Sequence, residues 1–185
     1  DDMKGMVFTN FLEMVEERYG IDMVDTIIDA SDLPSNGAYT AVGTYPHTEM
    51  VSLLISLEKE TGVTVSELLV LYGTYLFGKL AQGYPVMLTD CNCSRDLLIR
   101  LDGVVHVEVA KLYPDAELPR FKTVELPNGD LEMTYLSDRH LEDLAEGLLR
   151  GSLVHFKDQA TITRHPQADG SGVVFKVCYA ANTDR

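Results

Sequence analysis

The hydrophobic pattern of this 185-residue chain changes period at Pro119, and few folds accommodate that change. Before it, apolar residues recur at helical spacing; after it, they alternate. Val7, Phe8, Phe11, Leu12 and Val15 share one face opposite Glu13, Glu16, Glu17 and Arg18, which predicts a helix over 6–19 that stops at Gly20. Met23, Val24, Ile27 and Ile28 predict another over 21–30, and a third is expected at 48–61. Thr64-Val65-Ser66-Glu67 reads as a capping box opening an apolar helix through Leu80. Beyond Pro119 the Asn128-Gly129 pair lies between alternating segments at 122–126 and 131–135, a hairpin signal. A second hairpin is expected from 160–164 and 173–179 across Asp169-Gly170-Ser171-Gly172. One helix, 139–156, interrupts the strands. The fold class is therefore α+β: an N-terminal helical part followed by a small antiparallel sheet of two hairpins with one inserted helix.

Nothing resembling a linker divides the chain, so a single domain over 3–181 is expected. Its formal charge of −14 repels phosphate backbones and anionic lipid, which argues against nucleic acid and membrane surfaces as partners. The longest apolar stretch is too short to span a bilayer. The N-terminus lacks the pattern of a signal peptide, and three cysteines make no disulfide framework, so a cytoplasmic setting is expected. No glycine-rich phosphate loop, G-x-S-x-G or H-E-x-x-H occurs, which removes the usual support for nucleotide, hydrolase and zinc-protease chemistry.

Two constellations remain. The segment 97–113 predicts one amphipathic helix carrying His106, with Gly103 and Ala110 one turn away and Ile99 and Tyr113 two turns away. Ser94 can cap it. Glycine inside a helix costs about 1 kcal/mol against alanine, so Gly103 suggests backbone left open for a flat partner such as a porphyrin. The plain alternative is a hydrogen-bonded core histidine. Tyr135, Ser137 and Arg139 occupy alternate positions where a strand runs out, directing a phenol, a hydroxyl and a guanidinium one way, as donors for ligand carboxylates. Their structural alternative is a sheet-edge tyrosine, an N-cap serine and a surface ion-pairing arginine.

Met3-Lys4-Gly5 opening a helix, His106 within His-Val-Glu-Val-Ala-Lys-Leu-Tyr-Pro, and Tyr135-x-Ser137-x-Arg139 together resemble the H-NOX family. These are haem domains related to the haem domain of soluble guanylate cyclase, and the resemblance covers essentially residues 3–179. It implies haem b buried between the helical and sheet parts, His106 as proximal iron ligand, and the propionates on Tyr135, Ser137 and Arg139. Pro119 matches the proline that packs against and distorts the porphyrin. Val7, Phe11, Leu76, Leu80, Leu144 and Leu148 are the expected distal lining, all apolar. Oxygen-binding members carry a distal tyrosine where this chain has Leu144, so the resemblance implies a nitric oxide sensor that excludes oxygen.

In the implied mechanism nitric oxide breaks the bond to His106, haem relaxes against Pro119, and helix and sheet shift. Carbon monoxide would bind in vitro. The implied partner is a histidine kinase or a cyclic-di-GMP enzyme, regulated rather than replaced, since the chain itself is not expected to be an enzyme. Some members add a zinc site of cysteines and a histidine; Glu142 and Arg164 stand at candidate ligand positions here, with only Cys178 nearby, so no such site is expected. His47, His140, His155 and His165 are expected at the surface or its boundary. Alternative functions are a haem-free interaction module, an oxygen sensor, or a haem enzyme needing a distal acid-base residue.

Overall fold

Helical periodicity and strand alternation both emerge in the computed structural model, which describes residues 2–112, 114, 119–137 and 139–180. It divides into two compact units, Asp1–Tyr72 and Gly73–Arg185. In the first, β1 (Asp2–Lys4) leads into α1 (Gly5–Tyr19) and α2 (Ile21–Asp29), then β2 (Thr44–Pro46) precedes α3 (His47–Thr61). β1 and β2 pair antiparallel, with Met3 opposite Tyr45. Gly20, at φ 89°, separates α1 from α2 where the sequence placed the break. Phe8, Phe11, Val15, Ile27, Leu53 and Leu57 are wholly buried, so the helical stripes read from the sequence are the core of this unit.

α4 (Val65–Gly83) contributes residues 65–72 to the first unit and 73–83 to the second. Its start is the expected capping box: the Thr64 N–H donates to Glu67 Oε2 at 3.1 Å and the Glu67 N–H to Thr64 Oγ1 at 3.2 Å.

The second unit continues through a 3₁₀ turn (Pro85–Leu88), α5 (Ser94–Arg100), a π-helical turn (Leu101–Val105) and α6 (His106–Leu112). Next come β3 (Phe121–Glu125), β4 (Leu131–Tyr135), α7 (Glu142–Phe156), β5 (Ala160–Pro166) and β6 (Val173–Tyr179). The four strands form one antiparallel sheet in the order β3-β4-β6-β5. Both expected hairpins are present, the first turning at Gly129 with φ 90°, which a side chain would strain.

Several expectations are corrected. The histidine helix is not one regular helix, because the π turn interrupts it; the expected end at Tyr113 lies outside the described residues. Ser94 does not cap it. Ser94 is wholly buried in the first turn, and its N–H donates to Asp158 Oδ2 at 2.7 Å. α7 begins at Glu142, not at Arg139. The short pair β1–β2 was not expected at all. No described helix is long and apolar enough to cross a membrane.

Candidate functional site

His106 opens α6 directly after the π turn, with its side chain 15% exposed. Its Nε2 is buried and has no hydrogen-bond partner. The Pro119 backbone approaches the ring and favours its protonated form; proline has no N–H, so its carbonyl is the group that does so. With the proton on Nδ1, the side that faces Asp102, the lone pair is on Nε2. Asp102 Oδ1 lies 3.5 Å from Nδ1 and Arg120 Nε lies 3.9 Å from the same carboxylate oxygen. Burial holds the His106 pKa below its usual value and the Arg120 charge adds to this, against Asp102 and the Pro119 carbonyl. The imidazole is therefore neutral at pH 7, as a metal ligand must be.

Gly103 is exposed, a Cβ there would meet nothing within 4 Å, and it is not among the residues lining the cavity described next.

That cavity holds about 380 Å³ of space unfilled by atoms, part of it open to solvent. α4 supplies Phe77 and Leu80, the 3₁₀ turn Met87, α5 and the π turn Leu97, Leu98 and Leu101, and α7 Leu148 and Leu149; Pro119 and Phe121 complete it. Not one of these side chains can donate a hydrogen bond. Of the residues singled out in the sequence, Pro119, Leu80 and Leu148 meet here. Leu76 and Leu144 are buried outside this lining, and in the first unit Phe11 is core while Val7 presents its carbonyl to the Tyr72 hydroxyl. Sequence reasoning missed Asp102, whose i−4 spacing from His106 was a usable signal. It also missed Met87, Phe77 and Phe121, for which no local signal exists.

The Tyr135, Ser137 and Arg139 triplet is gathered by a turn rather than by a continuing strand, since β4 ends at Tyr135. Burial raises the Tyr135 pKa, and a side-chain hydrogen bond to Ser137 opposes that rise, so the phenol stays protonated at pH 7. The Arg139 N–H donates to Ser137 Oγ at 3.1 Å. These are donors suited to carboxylates. Arg164, at a position considered for a zinc ligand, instead pairs with Asp143 at 2.8 Å and approaches Glu146 at 3.8 Å.

A neutral, orphaned imidazole nitrogen, an apolar cavity and a cluster of carboxylate donors define a histidine-bearing, cofactor-binding α+β domain. The comparisons name the cofactor. The family described as Haem-NO-binding matches residues 4–164. The unliganded Fe(II) H-NOX protein from K. algicida is similar at 38% identity and a TM-score of 0.86, over 99% of this chain and 100% of that one. The IWP-051-bound H-NOX from Shewanella woodyi, in its Fe(II)CO state, is 39% identical with a TM-score of 0.80, over 99% and 97%. An H-NOX protein from S. oneidensis in the Fe(II)NO state is 25% identical with a TM-score of 0.84, over 97% and 100%. No curated protein matches. The chain belongs to the H-NOX family of haem-binding gas-sensor domains.

Proposed function

We propose that this chain is a nitric oxide sensor in which His106 Nε2 is the proximal ligand of haem b. The observation that carries the reading is the buried, unpartnered Nε2 of His106; His106 does not itself line the apolar cavity, but Leu101, at the start of the turn that leads into it, and Pro119 do. Leaving such a nitrogen unsatisfied costs about 1–3 kcal/mol, which a metal bond removes. Tyr135, Ser137 and Arg139 would hold the propionates, and Pro119 would press on the ring while its carbonyl orients His106. Bound there, haem b would supply a ferrous iron able to take a diatomic gas. The chain's part is to keep the pocket apolar, with Leu80 and Leu148 in its lining, so that a gas needing a hydrogen bond is not retained.

When Nε2 is released it becomes an orphan again, so the chain gains by rearranging around His106. A partner reading that rearrangement, a histidine kinase or a cyclic-di-GMP enzyme, fits a strongly acidic domain that would dock a basic surface. The cysteines Cys91, Cys93 and Cys178 are free thiols, which suits a reducing cytoplasm, and residues 3–181 would form one sensor domain.

The test is gas selectivity of the reduced, haem-loaded protein, with Leu148→Tyr placing a hydroxyl in the lining. Expected are no oxygen complex in air, a prompt spectral response to nitric oxide, and an oxygen complex gained by the variant. A stable oxygen complex of the unaltered chain would overturn the reading.

A further inference from the structure

We propose that Asp102 is a positioning residue that strengthens the bond His106 makes to iron, and that Arg120 holds this effect down; the inference rests on the reading that His106 is the haem ligand. Asp102 lies within the π-helical turn and His106 directly after it, four residues on, a spacing that makes them neighbours on the helix surface. Asp102 Oδ1 is 3.5 Å from His106 Nδ1, across the ring from the unpartnered Nε2. That oxygen is buried and accepts no hydrogen bond, although the Asp102 side chain as a whole is 36% exposed. A carboxylate oxygen withdrawn from water and given no donor keeps its charge directed at the imidazole. Negative charge beside Nδ1 makes Nε2 more basic and a stronger ligand, as carboxylates behind metal-bound histidines do.

Arg120 opposes this. Its Nε lies 3.9 Å from the same Oδ1, near enough to attract the charge and too far to hydrogen-bond it. With 67% of its side chain exposed, water softens that pull without removing it. A proton and a metal ion draw on the same ring electrons, so charges that favour or disfavour the one do likewise for the other. Asp102 favours the protonated ring and Arg120 disfavours it. On α6, Glu108 and Lys111 pair with each other at 2.8 Å. Among the described residues, Asp102 and Arg120 are therefore the charged side chains that act on the ring. A sensor histidine must hold haem yet give way when gas binds, and two opposed charges on its far nitrogen set that balance.

Resonance Raman spectroscopy of the reduced, haem-loaded chain reads the iron–histidine stretch, and His106→Gly identifies the band by its loss. Asp102→Asn and Arg120→Met nearly conserve side-chain size at partly exposed positions, so the fold should persist in both. Asp102→Asn should move the stretch to lower frequency and speed the loss of the band after nitric oxide is added, on the order of tenfold. Arg120→Met should move it to higher frequency and slow that loss. The opposite signs are the signature: residues that merely shaped the turn would loosen the ring in both variants and lower both frequencies. Any other pattern of shifts overturns the proposal. A band lost in His106→Gly but unmoved by Asp102→Asn sinks the proposal alone. One that survives in His106→Gly sinks the ligand reading with it, and an oxygen complex with the predicted shifts sinks only the gas selectivity.

Discussion

α7 and the α5–π–α6 segment both carry glycines on helices that line one cavity, and those glycines do opposite things. In α7 a Cβ at Gly151 would stand 2.5 Å from Phe77 Cβ and 3.0 Å from the Thr74 carbonyl, so its absence lets α7 and α4 approach closely. Thr74 Oγ1 also bonds the Gly147 carbonyl at 3.2 Å across the same contact. Gly103 touches nothing. Gly151 therefore serves packing, whereas Gly103 leaves backbone uncovered: a close-packed wall on one side and an open turn on the other.

Substitutions should separate the two walls. Gly151→Val forces β-branched atoms into Phe77 and should cost about 3 kcal/mol in urea unfolding, the largest effect expected here. A loss under about 1 kcal/mol would mean α4 and α7 are not tightly packed. Asp158→Ala removes the acceptor at the start of α5 and should cost about 1–2 kcal/mol, while leaving the spectrum of the reduced haem-loaded protein unchanged. If that spectrum shifted, the start of α5 would be coupled to His106. Gly103→Ala should be neutral or stabilising by up to about 1 kcal/mol, because the methyl has room and alanine prefers helix. A clear destabilisation would show that the turn needs a backbone conformation that alanine resists.

The smallest effect concerns the start of α5 at high pH, where Ser94 Oγ and the Tyr179 hydroxyl lie 2.8 Å apart. Burial pushes the Tyr179 phenol from its ordinary 10.0 up to about 12. A raised acid pKa means that the folded state disfavours the phenolate. The stability due to the neutral phenol is thus fully present below pH 10 and is lost between 10 and about 12. Tyr39, in the first unit, is pushed up to about 12 by burial in the same way. Tyr179→Phe should therefore flatten only part of the stability decline in that window; an unchanged slope would show that the Tyr179 phenol is not buried as the fold has it.

Much of the fold was legible because its signals are local. Asn128-Gly129 fixed the first hairpin, the Thr64/Glu67 box fixed the start of α4, and Gly20 fixed the break between α1 and α2. The π turn was not legible, since one extra residue shifts an apolar stripe by less than its own width. The cap of α5 was misread because its acceptor, Asp158, arrives from 64 residues away. Strands of three residues, as in β1 and β2, are too short for alternation to register. At the site, His106 and the Tyr135 triplet were visible as residue types in an unusual setting. The unpartnered Nε2 and the mostly aliphatic ring around Pro119 depend on five separate chain segments and only the fold reveals them.

The most direct measurement is the anaerobic visible absorption spectrum of the reduced, haem-loaded chain beside His106→Gly, each with and without free imidazole. The unaltered chain should show a five-coordinate, histidine-ligated ferrous spectrum, the variant should lose it, and imidazole should restore it. A variant that keeps the original spectrum without imidazole would contradict His106 as the ligand and return its buried nitrogen to the core.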